Sequence, residues 1–134
     1  MSAATQPVIL IVEDDPLGCE LAKEIFTTAG YTALSVEDGV GLLERVKRER
    51  PDLILMDLQL PGTDGVTLAR QLKADDETRS IPIVMTTAYA LPEPYVEALE
   101  AGCAAYLTKP FDSRILLQTV ADALQLRKEP HTDA

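Results

Sequence analysis

Five apolar residues, Val8-Ile-Leu-Ile-Val12, run directly into three acids, Glu13-Asp14-Asp15. Continuous apolarity, without alternation, is typical of a strand that is covered on both faces, as in a parallel sheet. Asp15 is followed by Pro16, a pair that favours a helix N-cap with proline at the first helical position. The stretch therefore predicts a buried strand, an acidic loop and a helix, in that order.

Four further apolar runs repeat this pattern along the chain, at Thr32–Val36, Leu53–Met56, Ile81–Met85 and Ala104–Leu107. Amphipathic segments with apolar residues at helical spacing separate the runs and follow the last one. The apolar stripes comprise Leu17, Leu21, Ala22, Ile25 and Phe26; Leu42, Leu43 and Val46; Val66, Ala69 and Leu72; and Ile115, Leu116, Val120, Ala123 and Leu124. Repeated β-α units predict one doubly wound α/β domain.

Residues typical of helix ends support the predicted alternation of strands and helices. Gly30 and Gly102 follow helical stretches as C-caps do, and Asp112 can cap the last helix. Pro94 is expected to begin a short fourth helix. Pro92 and Pro94 should stiffen the segment that leads into it.

The chain has 134 residues, the size of one ordinary domain. We assign residues 1–7 to a short flexible leader, residues 8–127 to the domain and residues 128–134 to a short tail. No signal peptide is evident, and no apolar run approaches the roughly 18 residues of a membrane span. Cys19 and Cys103 lack metal-type spacing and are expected to be reduced apolar fillers in a cytoplasmic protein.

The formal net charge of −10 bears on the choice of partners. An acidic surface repels phosphate backbones, so we expect no direct nucleic-acid binding. Because no apolar run is long enough for a span, we expect no membrane association either. The one basic cluster, Lys47-Arg48-Glu49-Arg50, lies where a helix should end, and the helix dipole favours cations there.

Polar residues follow the apolar runs at the points where the strands should end. The first run leads to Glu13-Asp14-Asp15, the third to Asp57, the fourth to Thr86-Thr87 and the fifth to Lys109. Ligands of open parallel sheets bind beyond the carboxyl ends of the strands. Clustered carboxylates repel one another unless a cation lies among them, and Mg²⁺ prefers oxygen ligands. With a lysine and a hydroxyl close by, this set favours phosphoryl transfer to a carboxylate.

Four segments, in order and at the expected spacings, resemble the signature blocks of response-regulator receiver domains. They are Ile9–Asp15, Pro51–Asp57 with Leu60-Pro-Gly62 after it, Pro82–Ala88 and Gly102–Phe111. The similarity runs from about Val8 to Leu126. It implies a flavodoxin-like (βα)5 receiver fold, a five-stranded parallel sheet with strand order 2-1-3-4-5.

The resemblance implies roles for the acids. Asp57 would be the phosphoacceptor. Asp14 and Asp57 would bind Mg²⁺ directly, with the backbone carbonyl of Gln59 as a further ligand and Glu13 acting largely through water. Asp15 is mainly a helix cap, with a place in the surroundings of the metal as the alternative.

The resemblance also implies roles for residues of the last two strands. Thr87 would be the switch hydroxyl, whereas Thr86, one residue earlier, should face the core. Lys109 would pair with the phosphoryl oxygens, and Tyr106 would be the aromatic residue that turns inward on activation, with an ordinary strand aromatic as its alternative. The bond before Pro110 should be cis.

The residues two positions beyond the acceptor and beyond the switch threonine tune the lifetime of the phosphorylated state in such domains. Here they are Gln59 and Tyr89. A bulky ring at Tyr89 should shield the phosphorus from water, so that replacing it with alanine should speed dephosphorylation.

The function implied is that of a stand-alone receiver rather than an enzyme acting on other molecules. It would be phosphorylated by a histidine kinase or histidine phosphotransfer protein, and would promote only its own phosphorylation and dephosphorylation. The signal would reach a partner protein through the fourth helix, fifth strand and fifth helix, from about Pro94 to Leu126. A phosphorylation-linked homodimer stays open.

Three other functions fit these residues less well. A phosphohydrolase of the haloacid dehalogenase type would have Asp-x-Asp at the nucleophile, but Gln59 cannot donate the required proton. A flavodoxin-like cofactor binder would need a Gly/Ser/Thr-rich loop after the first strand, where Glu13-Asp14-Asp15 would repel a phosphate. A degenerate receiver acting only as a binding module would have lost some of the acids, the threonine or the lysine, and all are present. Turnover of free phosphomonoesters would support the phosphohydrolase, and absorbance by a bound flavin would support the cofactor binder.

Overall fold

The computed structural model describes residues 6–88, 92–110 and 112–128. The strands are β1 (Val8–Val12), β2 (Thr32–Val36), β3 (Leu53–Asp57), β4 (Ile83–Thr87) and β5 (Ala105–Thr108). The main helices are α1 (Pro16–Thr28), α2 (Leu42–Glu49), α3 (Gly65–Ala74), α4 (Pro92–Glu100) and α5 (Ser113–Lys128). Residues 1–5 of the predicted leader and 129–134 of the predicted tail lie outside the described residues.

The five strands form one parallel sheet in the order β2-β1-β3-β4-β5, which confirms the predicted fold class and strand order. The register aligns the carboxyl ends of the central strands. Val12 pairs with Met56, the residue before Asp57, and Asp57 itself pairs with Thr86. The residues that follow β1, β3 and β5 therefore emerge at the same edge of the sheet.

Successive residues of each central strand point to opposite faces, and both faces are covered. One face packs against α1 and α5, and we call this side the α1/α5 layer; its buried residues are Ile9, Ile11, Leu53, Leu55, Val84, Ala22, Phe26, Leu116, Val120, Ala123 and Leu124. The opposite face, with the α2, α3 and α4 helices, forms the α2–α4 layer; its buried residues include Leu10, Val12, Ile54, Met56, Ile83, Met85, Val46, Leu68, Ala69, Leu72 and Ala98. Burial on both faces explains the continuous apolarity of the strands.

The predicted helix caps are confirmed. The Asp15 carboxylate accepts a hydrogen bond from the Gly18 amide at 3.1 Å, and the Asp112 carboxylate accepts one from the Ile115 amide at 3.0 Å. Gly30 and Gly102 have φ angles of 96° and 98° just beyond α1 and α4. The basic cluster ends α2, with Lys47 and Arg48 in its last turn.

Two predicted boundaries were wrong. The α4 helix begins at Pro92 rather than at Pro94, so both prolines lie in its first turn instead of stiffening a segment before it. A first-turn N–H has no intrahelical partner, so prolines are tolerated there. β4 begins at Ile83 rather than at Ile81, because Pro82 has no N–H to donate to the neighbouring strand. β4 extends to Thr87, two residues beyond the predicted run.

The apolar stripe predicted for α1 is only partly buried. Ala22 and Phe26 pack into the α1/α5 layer, but Leu17 and Leu21 are 78% and 59% exposed. Each residue turns a helix by about 100°, so Leu21 points well away from its neighbour Ala22. The buried face of α1 is therefore narrower than the five apolar residues indicated.

Both cysteines are free thiols packed among apolar residues. Burial raises the pKa of Cys103 to about 11, which keeps this thiol protonated at neutral pH. Among the described residues, no helix is both long enough and apolar enough to cross a membrane.

Candidate functional site

Three carboxylates meet at the carboxyl edge of the sheet. Glu13 and Asp14 follow β1, and Asp57 is the last residue of the neighbouring strand β3. One carboxylate oxygen from each lies within 4.8 Å of the others. Glu13 and Asp57 are buried, whereas Asp14 is exposed. The adjacency of β1 and β3 thus brings together the acids that the sequence predicted to converge.

Lys109 reaches this cluster from the loop after β5. Its Nζ donates to Glu13 Oε1 at 2.6 Å and to Asp57 Oδ2 at 3.1 Å. Burial alone would lower the pKa of Lys109, but these hydrogen bonds outweigh it and raise that pKa. Burial raises the pKa of Glu13, and the hydrogen bond from Lys109 opposes the rise. A protonated ammonium therefore lies between two buried acids.

The main chain around Lys109 fixes the direction of its side chain. Its amide donates to the Thr87 carbonyl at 2.6 Å, which ties the loop to the end of β4. The Lys109–Pro110 peptide bond is cis.

A short hairpin after β3 holds the Asp57 side chain. Gln59–Leu60 pairs antiparallel with Thr63–Asp64, and the Gln59 amide donates to Asp57 Oδ1 at 2.9 Å. Gly65 closes the hairpin so tightly that an added Cβ would lie 2.7 Å from the Asp57 backbone oxygen. The sequence reasoning did not identify Gly65; a glycine opening a helix shortly after the acid was the available signal.

Thr86 and Thr87 end β4 and point to opposite layers, because side chains alternate along a strand. Thr87 is fully buried and shares a hydrogen bond with the Tyr106 side chain. Tyr106 is half-buried and packs against the α2–α4 layer. Burial raises the pKa of Tyr106, and the contact with Thr87 opposes the rise. Thr86 is buried, as expected.

Asp15 has the main role predicted for it, that of a helix cap. Asp15 caps α1, and its amide donates to Glu13 Oε2 at 3.2 Å. Its carboxylate is thus engaged at the helix end rather than grouped with the three clustered acids. Tyr89 lies outside the described residues.

The chemistry of the site follows from its donors. Three carboxylates offer the hard oxygen ligands that Mg²⁺ prefers, so the residues present fit such an ion. A lysine held against two of these acids supplies positive charge where phosphoryl oxygens would approach Asp57. The arrangement can stabilise negative charge around a carboxylate nucleophile.

The fold and this site define an α/β domain with an acidic site at the carboxyl edge of its sheet, and similarity to known proteins identifies its family. Residues 9–121 match the family model described as the response regulator receiver domain, and the chain belongs to that family of two-component signalling proteins.

Individual relatives are consistent with this assignment. The polar-differentiation response regulator DivK of Brucella anthropi is 35% identical over 116 residues, which cover 87% of this chain and 94% of that protein. A crystal structure of a CheY-like response regulator receiver domain protein from Methanospirillum hungatei has a TM-score of 0.86 at 29% identity, covering 92% of this chain and 98% of that one. The receiver domain of a sensor histidine kinase from Pseudomonas aeruginosa, with a magnesium ion coordinated in its active site cleft, has a TM-score of 0.83 at 33% identity, covering 90% of this chain and 99% of that one.

Proposed function

We propose that Asp57 accepts a phosphoryl group, in a Mg²⁺-dependent reaction, from a histidine kinase or histidine phosphotransfer protein. The observation that carries the proposal is the setting of this buried carboxylate. Its two oxygens are held by the Gln59 amide and by Lys109, and Glu13 and Asp14 lie within a metal-binding distance of it. Glu13 is also buried and accepts from Lys109 and from the Asp15 amide, so the choice of Asp57 rests in addition on the match of its segment to receiver domains.

The transfer forms a bond between an Asp57 oxygen and phosphorus and breaks the bond from phosphorus to the donor. Glu13, Asp14 and Asp57, with the backbone carbonyl of Gln59, would hold the Mg²⁺. When bound, this ion supplies positive charge to the phosphoryl oxygens. Lys109 supplies a second positive charge, because its ammonium already lies 3.1 Å from Asp57 Oδ2.

The same residues favour a phosphoacceptor over an enzyme that hydrolyses phosphomonoesters. Hydrolysis of that kind needs a general acid for the leaving group. The residue two positions beyond Asp57 is Gln59, whose side chain is exposed and whose amide group cannot serve as that acid. The protein would therefore promote its own phosphorylation and dephosphorylation only.

The route of the signal follows from the contact between Thr87 and Tyr106. Phosphoryl oxygens on Asp57 would attract the Thr87 hydroxyl, which now hydrogen-bonds with Tyr106. Loss of that contact would change the position of Tyr106 on the face formed by α4, β5 and α5, where Val96 and Leu99 are exposed. A partner that prefers one position by a few kcal/mol would shift the population substantially.

Acetyl phosphate provides the direct test. Intact-mass measurement with acetyl phosphate and Mg²⁺ should show one added phosphoryl group, and Asp57→Asn or a metal chelator should abolish it. The matched control is Asp76→Asn, since Asp76 is an exposed acid paired with Arg79 outside the cluster, and this variant should be labelled like the wild type. Labelling of Asp57→Asn, or full labelling without a divalent metal, would refute the proposal.

A further inference from the structure

A cavity of about 230 Å³ lies beneath α1, beside the acidic cluster. Ile11 and Leu55 of the sheet and Ala22 and Ile25 of α1 contribute apolar walls. The exposed Leu21 lies at its solvent side. For scale, an apolar cavity of about 150 Å³ can hold a benzene molecule. The space is therefore large enough for one substituted aromatic ring.

Thr86 is a polar residue of the cavity that has no part in the proposed phosphorylation. It is 2% exposed, and it lies on the same face of β4 as Val84, toward the α1/α5 layer and the cavity. Within the described residues, its hydroxyl has no hydrogen-bond partner. Its oxygen is open to the cavity, where a water molecule or another hydroxyl group can hydrogen-bond to it. A hydroxyl group entering the cavity could satisfy it.

The charges around the cavity define what it can accept. Lys109 and Glu13 line one end, and they are already paired with each other at 2.6 Å. Asp15 adds an exposed carboxylate, and an anionic ligand would be repelled by it. Asp15 is exposed, so a cation paired with it would stay in water, whereas a charge placed against the apolar walls would lose its hydration, which is unfavourable. A neutral molecule with one hydroxyl group fits both the charges and the walls.

We propose that this cavity binds a small neutral aromatic alcohol of about the size of phenol, with its ring against Ile11, Leu55 and Ala22 and its hydroxyl on Thr86. Gly18 lines the cavity, and a Cβ there would lie 3.1 Å from the Asp15 carboxylate that caps α1. Glycine at this position therefore leaves space without disturbing the cap. Because Glu13 and Lys109 line the cavity and also contact each other at the acidic cluster, a bound ring would adjoin that cluster.

The binding test uses the full chain, unphosphorylated and without metal, so that its result is independent of the proposed phosphorylation. Phenol and toluene, which have similar sizes, are titrated into ¹⁵N-labelled protein, and amide shifts are followed. Phenol should bind saturably, with the largest shifts at Ala22, Thr86 and Lys109. One hydrogen bond contributes about 1 kcal/mol, so phenol should bind about five-fold more tightly than toluene.

Three variants separate the cavity from its hydroxyl. Thr86→Val should lower the affinity for phenol to that for toluene and leave toluene unchanged. Thr32→Val, the same substitution at an exposed strand position, should change neither affinity. Ala22→Leu should fill the cavity and abolish binding of both compounds.

The contrary results are equally specific. Shifts that do not saturate, equal affinities of the wild type for phenol and toluene, or unchanged binding by Ala22→Leu would each overturn the proposal. Should Ala22→Leu not fold, the ratio of phenol to toluene affinity in Thr86→Val decides the question, because a preference for phenol that survives in this variant also overturns it.

Discussion

Two neighbouring residues of β4, Thr86 and Thr87, lie in different surroundings, because they face the two different layers that cover the sheet. In the α2–α4 layer, Thr87 is fully buried and hydrogen-bonded with Tyr106. In the α1/α5 layer, Thr86 borders a cavity of about 230 Å³ instead of a polar side chain. Side-chain alternation therefore gives a single strand end two environments. A polar contact lies on one side, and a cavity lies on the other.

The largest expected effect is a loss of stability when a buried side chain of α1 in the α1/α5 layer is truncated. Phe26 is fully buried and contacts the ring of Tyr31 edge-on, with ring centroids 5.9 Å apart. Phe26→Ala should lower the free energy of unfolding by about 3–5 kcal/mol, because it leaves a cavity. Leu17→Ala, at a position that is 78% exposed on the same helix, should change it by no more than about 0.5 kcal/mol. Urea denaturation measures both, and similar losses would show that the exposed leucines hold the helix.

A second prediction compares packing in the two layers with one substitution. Ala69 is fully buried in the α2–α4 layer, and Ala22 lines the cavity of the α1/α5 layer. Ala69→Leu should cost about 1–3 kcal/mol of unfolding free energy, because a filled core resists added carbons. Ala22→Leu should cost clearly less, since its added carbons enter existing space. Equal losses by urea denaturation would mean that the layers are packed alike.

The smallest effect is a change of side-chain position rather than of stability. Beryllofluoride with Mg²⁺ imitates a phosphoryl group on Asp57, so it should shift the amide signals of Thr87 and Tyr106. Amides of the α1/α5 layer away from the acids, such as that of Phe26, should move much less. Spectra that change around Asp14 and Asp57 but not near Tyr106 would leave the acceptor in place and reject this route for the signal.

The sequence was sufficient to predict the fold because its local signals agree. Continuous apolar runs, the Asp15 and Asp112 caps and the glycines after helices all favour the same alternation of strands and helices. It also predicted that Glu13, Asp14, Asp57 and Lys109 converge, since parallel strands place their carboxyl ends at one edge.

Other features could not be predicted because they depend on packing between elements. The exposure of Leu17 and Leu21 reflects how α1 is rotated against the sheet. Position 65 requires glycine because the folded hairpin places it against the Asp57 carbonyl, and this contact does not show in the sequence. The space beside Thr86 depends on the small residues Gly18 and Ala22 facing the sheet, and no periodicity in the sequence reports this.

The central claim is that Asp57, among three clustered carboxylates, carries the phosphoryl group. Borohydride reduces an acyl phosphate to an alcohol, so a phosphorylated aspartate becomes homoserine. After treatment with acetyl phosphate and Mg²⁺, reduction and peptide mass mapping should find homoserine at position 57 and leave Glu13 and Asp14 unchanged. Reduction at Glu13 or Asp14, with Asp57 intact, would contradict the account.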